Sequence, residues 1–184
     1  MACTDKIGAA INSGCPTAQR GFAEEVLIGN YDEIATKTYD VNTALLSDVV
    51  MASTKKFYSC YMKTKKPFDG TKITGVEKLF SWLFDNETKI VIAGNNPANS
   101  ALINTMVNGR FVMIFKQLGV EDNSKYPVMG IEVGLKVSAA EIVPYDDNTG
   151  WVVTLKEEMC ESAGMFLFKT DIATTDALWT SLKA

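Results

Sequence analysis

The stretch from Tyr126 to Thr170 constrains the fold more than any other part of the chain. Ile131, Val133, Leu135 and Val137 take alternate positions, with Glu132, Gly134, Lys136 and Ser138 between them. Period-two alternation is the pattern of a strand with one buried face. The turn-forming run Tyr145-Asp146-Asp147-Asn148-Thr149-Gly150 follows, and then a second alternating run. There Trp151, Val153 and Leu155 share one face, and Val152, Thr154 and Lys156 the other. The two runs predict a long antiparallel hairpin, wet on one side and packed on the other. Nothing in it carries catalytic chemistry, which favours a structural role.

The 184 residues suit one domain, or one domain with extended arms. Hydrophobic residues make up 47% and charged residues 22%, a globular balance rather than a disordered one. No run approaches the roughly 20 apolar residues that a membrane-crossing helix needs. The start, Met1-Ala2-Cys3-Thr4-Asp5-Lys6, has no basic region leading into an apolar stretch, so a secretory leader is not expected. The chain is therefore expected to be made, and used or assembled, in a cytoplasm. Cys3, Cys15, Cys60 and Cys160 form no CxxC and no metal-ligand spacing; they read as reduced thiols, and Cys3–Cys15 is the one pairing that proximity suggests.

Histidine is absent. That removes the usual general base near neutral pH, the commonest metal ligand and the Ser-His and Cys-His nucleophile pairs. No enzyme activity, cofactor or metal is expected. The net charge of −4 is unevenly spread. Lys55, Lys56, Lys63, Lys65, Lys66 and Lys72 lie close together with Asp69 as the one acid among them. From Val120 to Ala184, eleven acids face five lysines. Opposed patches of this kind suit head-to-tail association of copies, and equally suit two differently solvated faces of a monomer.

Along the chain, residues 1–22 are small and polar and read as an N-terminal arm, with a single β-rich domain over 23–184. Strands are expected at Val26–Tyr31, around Leu45–Met51 and from Lys55 to Met62. The turn-rich segment Thr64–Thr71 would close a projecting hairpin spanning about Ser53 to Phe84. Val76–Phe84 fits either helix or strand, with strand preferred; Asp85–Thr88 reads as a turn and Lys89–Ala93 as a buried strand. The clearest helix begins at Pro97 with Asn96 as its N-cap, and Asn108-Gly109 is expected to end it through a left-handed glycine. Arg110–Leu118 holds a core strand, and a short helix runs from Thr174, Thr175 or Asp176 to Lys183 with Ala177, Leu178 and Leu182 inward. The class is α+β, mainly β: a β-sandwich or partly closed barrel with one flanking central helix, a long projecting hairpin and a short C-terminal helix.

Three constellations have ordinary explanations. Asp146-Asp147-Asn148 lacks the spaced acids and distal Glu of a calcium loop and reads as a turn. Glu157, Glu158 and Glu161 have no partner base for acid–base work and read as the polar end of a strand and its loop. The lysines of 55–72 with Phe57, Tyr58, Tyr61 and Phe68 have the composition of a single-strand nucleic-acid groove, but an amphipathic hairpin with solvated lysines is favoured in an acidic chain.

The order of elements over residues 25–170 points further. An early β region with a long hairpin precedes the helix Pro97–Asn108, which leads through Asn108-Gly109-Arg110-Phe111-Val112 into a strand. Val128-Met129-Gly130-Ile131-Glu132-Val133-Gly134-Leu135-Lys136, a loop and Trp151-Val152-Val153-Thr154-Leu155 complete it. This resembles the tail tube proteins of tailed bacteriophages and related contractile injection systems, in particular those of phages and prophages of Bacteroides-type bacteria. The resemblance implies a virion structural protein, assembled in the bacterial cytoplasm, whose rings, commonly hexameric, stack into a tube that conducts DNA without reading its sequence. Its partners would be copies of itself and other tail or neck proteins, with no membrane. Other virion roles (capsid, neck, baseplate accessory) and a nucleic-acid-binding β-barrel are the alternatives. Under the tube reading the candidate inter-subunit contacts are Lys55, Lys56, Lys63, Lys65, Lys66, Phe68 and Lys72 against Asp146, Asp147, Glu157 and Glu158. Lumens in that family are usually acidic or neutral, so the lysines fit ring-to-ring contact better than a lumen wall.

Overall fold

A computed structural model describes residues 21–23, 25–61, 68–79, 81–145 and 148–184. Most of the expected arm, with Cys3 and Cys15, lies outside them. Eleven strands and two α-helices follow in the order β1 (Glu25–Asn30), β2 (Ile34–Asp40), β3 (Leu45–Met51), β4 (Tyr58–Tyr61), β5 (Phe68–Glu77), β6 (Trp82–Ala93), α1 (Pro97–Met106), β7 (Phe111–Ile114), β8 (Pro127–Met129), β9 (Lys136–Tyr145), β10 (Asn148–Cys160), β11 (Met165–Leu167) and α2 (Ile172–Leu182). The mainly β, α+β class is as expected.

The strands form two sheets, ordered β2-β3-β11-β8-β7-β1-β4 and β5-β6-β10-β9, and neither closes into a barrel. Side-chain alternation explains the layering. On β7, Val112 and Ile114 enter a core shared with Trp179 and Leu182 of α2. Phe111 and Met113 enter a second core with Ile103 and Met106 of α1 and with Ile90, Val153 and Leu155 of the four-stranded sheet. The seven-stranded sheet is thus buried on both faces, one under α2 and one under the other sheet. Neither helix is long and apolar enough to cross a membrane.

Four sequence expectations about strands and turns change. The hairpin does not span Ser53–Phe84: β4 pairs with β1 in the larger sheet, while β5 pairs with β6 in the smaller one. The chain passes between sheets there, and the long hairpin is β5–β6. Asp85–Thr88 is not a turn but the middle of β6, because Asn86 and Thr88 point inward and are buried as part of a continuous strand. The reversal comes before β6 instead, where the Lys78 N–H donates to the Ser81 carbonyl at 2.8 Å. Gly109 is not left-handed. Its glycine is required because a Cβ would stand 2.5 Å from the Phe111 ring.

The fourth concerns the alternating block. β9 and β10 do pair as a hairpin, from Asn148↔Tyr145 to Lys156↔Lys136. However, β10 also pairs with β6 and is a central strand, so Val152 and Thr154 on its outer face are largely covered by their neighbours while Val153 and Leu155 on its inner face are fully buried. The first half of the block is not strand throughout. Residues 130–134 form a bend with Gly130 and Gly134 at φ +85° and +90°.

Both helices start as their sequences dictate. The Asn96 side chain accepts from the Asn99 N–H at 2.9 Å, with Pro97 at the first position. Asp171 caps α2 through the Thr174 N–H, and the Thr174 hydroxyl closes the capping box. The α2 start is thus earlier than the sequence suggested, and its buried residues are Thr175, Trp179 and Leu182, with Ala177 exposed.

Candidate self-association surface

The four-stranded sheet ends on two long edges. β5 and β9 are ten residues each. Gly70–Gly75 and Glu77 are exposed, as are Lys136 and residues 138–142. A sheet edge presents unpaired N–H and C=O groups, which is a template for another strand. Ile73 on β5 and Ile142 on β9 are 46% and 51% exposed, so each edge also offers an apolar side chain.

Cross-strand register assigns residues to the two faces of this sheet. Directly opposite residues form the row Lys72–Glu87–Lys156–Lys136. Four residues further along β6 lies the row Val91–Val152–Glu141. Both rows lie on the face turned away from the seven-stranded sheet, since the intervening Ile90–Val153 and Thr88–Leu155 rows enter the core. On that outer face Lys156 bridges Asp85 at 3.0 Å and Glu158 at 2.8 Å. The Lys156 bonds to the carboxylates raise its pKa and depress that of Asp85. Lysines 72, 89, 136 and 156 therefore share a face with Asp85, Glu87, Glu141 and Glu158, a mixed surface of neither sign.

The predicted contact residues do not form one patch. Lys55 pairs with Glu33 at 2.8 Å and Lys56 donates to the Ser181 carbonyl at the end of α2, both on the seven-stranded sheet's side. Lys72 stands on the other sheet. Lys63, Lys65, Lys66, Asp146 and Asp147 lie outside the described residues. The backbone of Phe68 opens β5 opposite Ile90. Glu158 is exposed beside Lys156.

Glu157 is buried, which removes it from any contact set. Its carboxylate accepts four backbone N–H groups from the bend before β9: Gly130 at 3.0 Å, Glu132 at 3.1 Å, Val133 at 2.8 Å and Gly134 at 3.3 Å. On the opposite side of the same peptides, the Lys37 ammonium donates to the carbonyls of Ile131 at 2.6 Å and Glu132 at 3.2 Å. It also donates to the Tyr31 hydroxyl at 2.7 Å, which in turn donates to the Glu132 carbonyl at 2.6 Å. Two peptide dipoles are thus held head and tail between a cation and an anion, the geometry in which charge-assisted bonds are strongest. The Glu132 side chain reaches the other way and accepts from Glu161 and Ser162 N–H at 2.7 and 3.0 Å. Burial and the neighbouring Glu157 and Glu161 nevertheless push its pKa up. Sequence reasoning missed this clamp. Its visible traces are Gly130 and Gly134 at the bend and a Glu at a strand position whose odd-numbered neighbours are core residues.

No protein-family model matches the chain, and no curated protein or solved structure is significantly similar to it. A cleft of about 740 Å³ opens between the sheets beside α1, lined by Ile28, Tyr58, Cys60, Ile90, Ile92 and Leu102 among others. Its described lining is mostly apolar, with Asn30, Ser59, Thr105 and Asn108 as polar members. Burial pushes the pKa of the Cys60 thiol up, away from the thiolate form. No group of three or more His, Cys, Asp or Glu among the described residues is placed to hold a metal.

Proposed function

We propose that this chain is a self-assembling structural subunit, of the phage tail tube kind, whose copies join into rings around a channel. The observation that carries the reading is the four-stranded sheet with two ten-residue edge strands that, among the described residues, pair with no further strand. Its strands alternate in direction from β5 through β6 and β10 to β9. Because four is even, β9 of one copy beside β5 of the next continues the alternation without a break. The contact is heterologous, so repetition closes a ring or extends a helix. Closure also removes the exposed edges that would otherwise invite uncontrolled pairing. The seven-stranded sheet and its helices would form the outer body of each subunit, and the mixed-charge face would line the channel. A wall of neither sign suits passage of DNA, since it offers no uniform field to hold a polyanion. This revises the expectation for Lys72, which belongs to the joined sheet rather than to a basic ring-to-ring patch.

Negative-stain microscopy of the purified protein tests the reading. Rings or tubes are expected; a protein that stays monomeric at high concentration and low salt overturns it.

A further inference from the structure

We infer the register of the joint between copies: Glu141 on β9 stands opposite Lys72 on β5 of the next copy, a stagger of four residues relative to the subunit's own rows. The inference rests on the ring reading above and adds which residues meet.

Three independent constraints select this register. The first is face parity. Lys72 and Glu141 both lie on the outer face, and a joined sheet keeps its faces only if the stagger is even. The second is the tilt of a closed sheet. A stagger of zero leaves the strands upright, two gives a tilt of about 20°, four about 35° and six about 45°, from a rise of roughly 3.3 Å and a spacing of roughly 4.8 Å. Closed barrels tilt by about 35–45°, which leaves four and six. The third is charge and shape. Zero stagger sets Lys72 against Lys136, and six sets it against Val143. Four sets it against Glu141, places Ile73 opposite Ala140 and puts Ile142 diagonally beside Ile73, so the two exposed isoleucines cover each other.

The direction of the stagger agrees. The Lys78–Ser81 hydrogen bond fixes which β6 residues turn their amides toward β5, and hence that Ile90 turns its own toward β10. With L-residues, this puts β5 on the left and β9 on the right when the sheet is viewed from the seven-stranded side with β6 pointing up. Strands that coil right-handed around a ring make each row descend to the right. A row leaving β9 therefore reaches the next β5 nearer Glu77, which is the sense that brings Glu141 to Lys72. Pro144, which has no N–H to give, then falls opposite the bulge between Phe68 and Thr71, where the ladder is already irregular.

The test is a charge swap combined with a disulfide ruler. Lys72→Glu and Glu141→Lys should each raise the concentration needed for assembly by roughly tenfold, and the double variant should restore it. Under the proposed register Ala139 and Thr74 of the next copy form a non-hydrogen-bonded pair, with Cα atoms about 4.5 Å apart. Ala139→Cys with Thr74→Cys should give a covalent ladder under oxidation, whereas Ala139→Cys with Lys72→Cys or Val76→Cys should not. Rings that form but crosslink through residue 72 or 76, or a double swap that fails to restore assembly, overturn the register and leave the ring reading standing. A wild-type protein that never assembles overturns both.

Discussion

At the residue scale, the strongest commitment in the molecule is the Glu157 carboxylate. It satisfies four N–H groups of a bend, of which those of Gly130 and Gly134 would otherwise be buried without partners. Glu157→Ala should destabilise the protein by about 3–5 kcal/mol, because it strands those donors and leaves Lys37 facing the same peptides without its counter-charge. Urea unfolding monitored by circular dichroism reads this directly; a loss under about 1 kcal/mol would show that the clamp is ornamental. The bend itself can be probed by two glycines of similar conformation. Gly130 has φ +85° and a Cβ there would stand 2.4 Å from the Phe111 carbonyl oxygen, whereas Gly70 has φ +103° and open space around it. Gly130→Ala should therefore cost several times what Gly70→Ala costs, the latter limited to about 1–2 kcal/mol of backbone strain. Equal costs in the same unfolding measurement would refute the close approach. None of this was legible in the sequence, where Glu157 reads as the polar end of a strand. A carboxylate's spacing says nothing of which amides will converge on it from 25 residues away.

At the element scale the sequence was a better guide wherever the signal is local. The α1 start at Asn96-Pro97, the buried β7 and the β10 strand all follow from caps, proline chemistry and alternation within a few residues. By contrast, the alternation at Ile131–Ser138 falls mostly before β9, and Tyr145 and Asn148–Gly150, which read as a turn, belong to the paired strands. β6 was misread at Asp85–Thr88 because turn-forming residues occupy it, and the burial of Asn86 and Thr88 between sheets overrides their local preference. β2 went unrecognised for a related reason, being an exposed edge strand with no clean apolar face. α2 carries two predictions. Asp171→Ala removes the side-chain half of its capping box, the bond from the Thr174 N–H, and should lower the thermal midpoint by a few degrees, with Trp179 fluorescence, buried against Tyr126, following the same transition. Asp176 on α2 accepts from the Tyr126 hydroxyl at 2.6 Å and from Lys125 at 2.9 Å. Burial alone would raise its pKa, but the Tyr126 and Lys125 bonds hold it below the usual carboxylate range. A depressed folded-state pKa contributes stability that is present above the unfolded value, near 3.9, and is lost as pH falls through the folded one. Asp176→Asn should therefore flatten the acid limb of stability below about pH 4 in urea midpoints taken from pH 2 to 6; an unchanged limb would locate acid sensitivity elsewhere.

At the scale of the whole molecule, the mainly β class and the two-sheet sandwich were accessible from element order, but the assignment of strands to sheets was not. β4 and β5 are neighbours in sequence and partners of different sheets, a choice made by long-range packing that no local pattern encodes. The absence of histidine has its own global consequence. The side chain whose ordinary pKa lies in the neutral range is thus missing, and Cys60 and Cys160 are both pushed upward by burial, away from it. Stability and any assembly equilibrium should be flat from about pH 6 to 8 at constant ionic strength, save for a contribution from the Glu132 carboxyl that burial pushes upward; a clear slope in thermal midpoint that survives Glu132→Gln would overturn this. The last strand bears on timing. β11 inserts between β3 and β8, pairing Phe166 with Leu45 and Met165 with Val128 in the interior of the seven-stranded sheet. Until residues near 165 have been synthesised, that sheet has a gap between β3 and β8, and β2 and β3 are not yet joined to the strands on which the smaller sheet packs. A nascent chain emerging N-terminus first thus completes its body only after both edge strands, β5 and β9, have been made. Copies made side by side on one message would meet as finished subunits rather than as tangled halves.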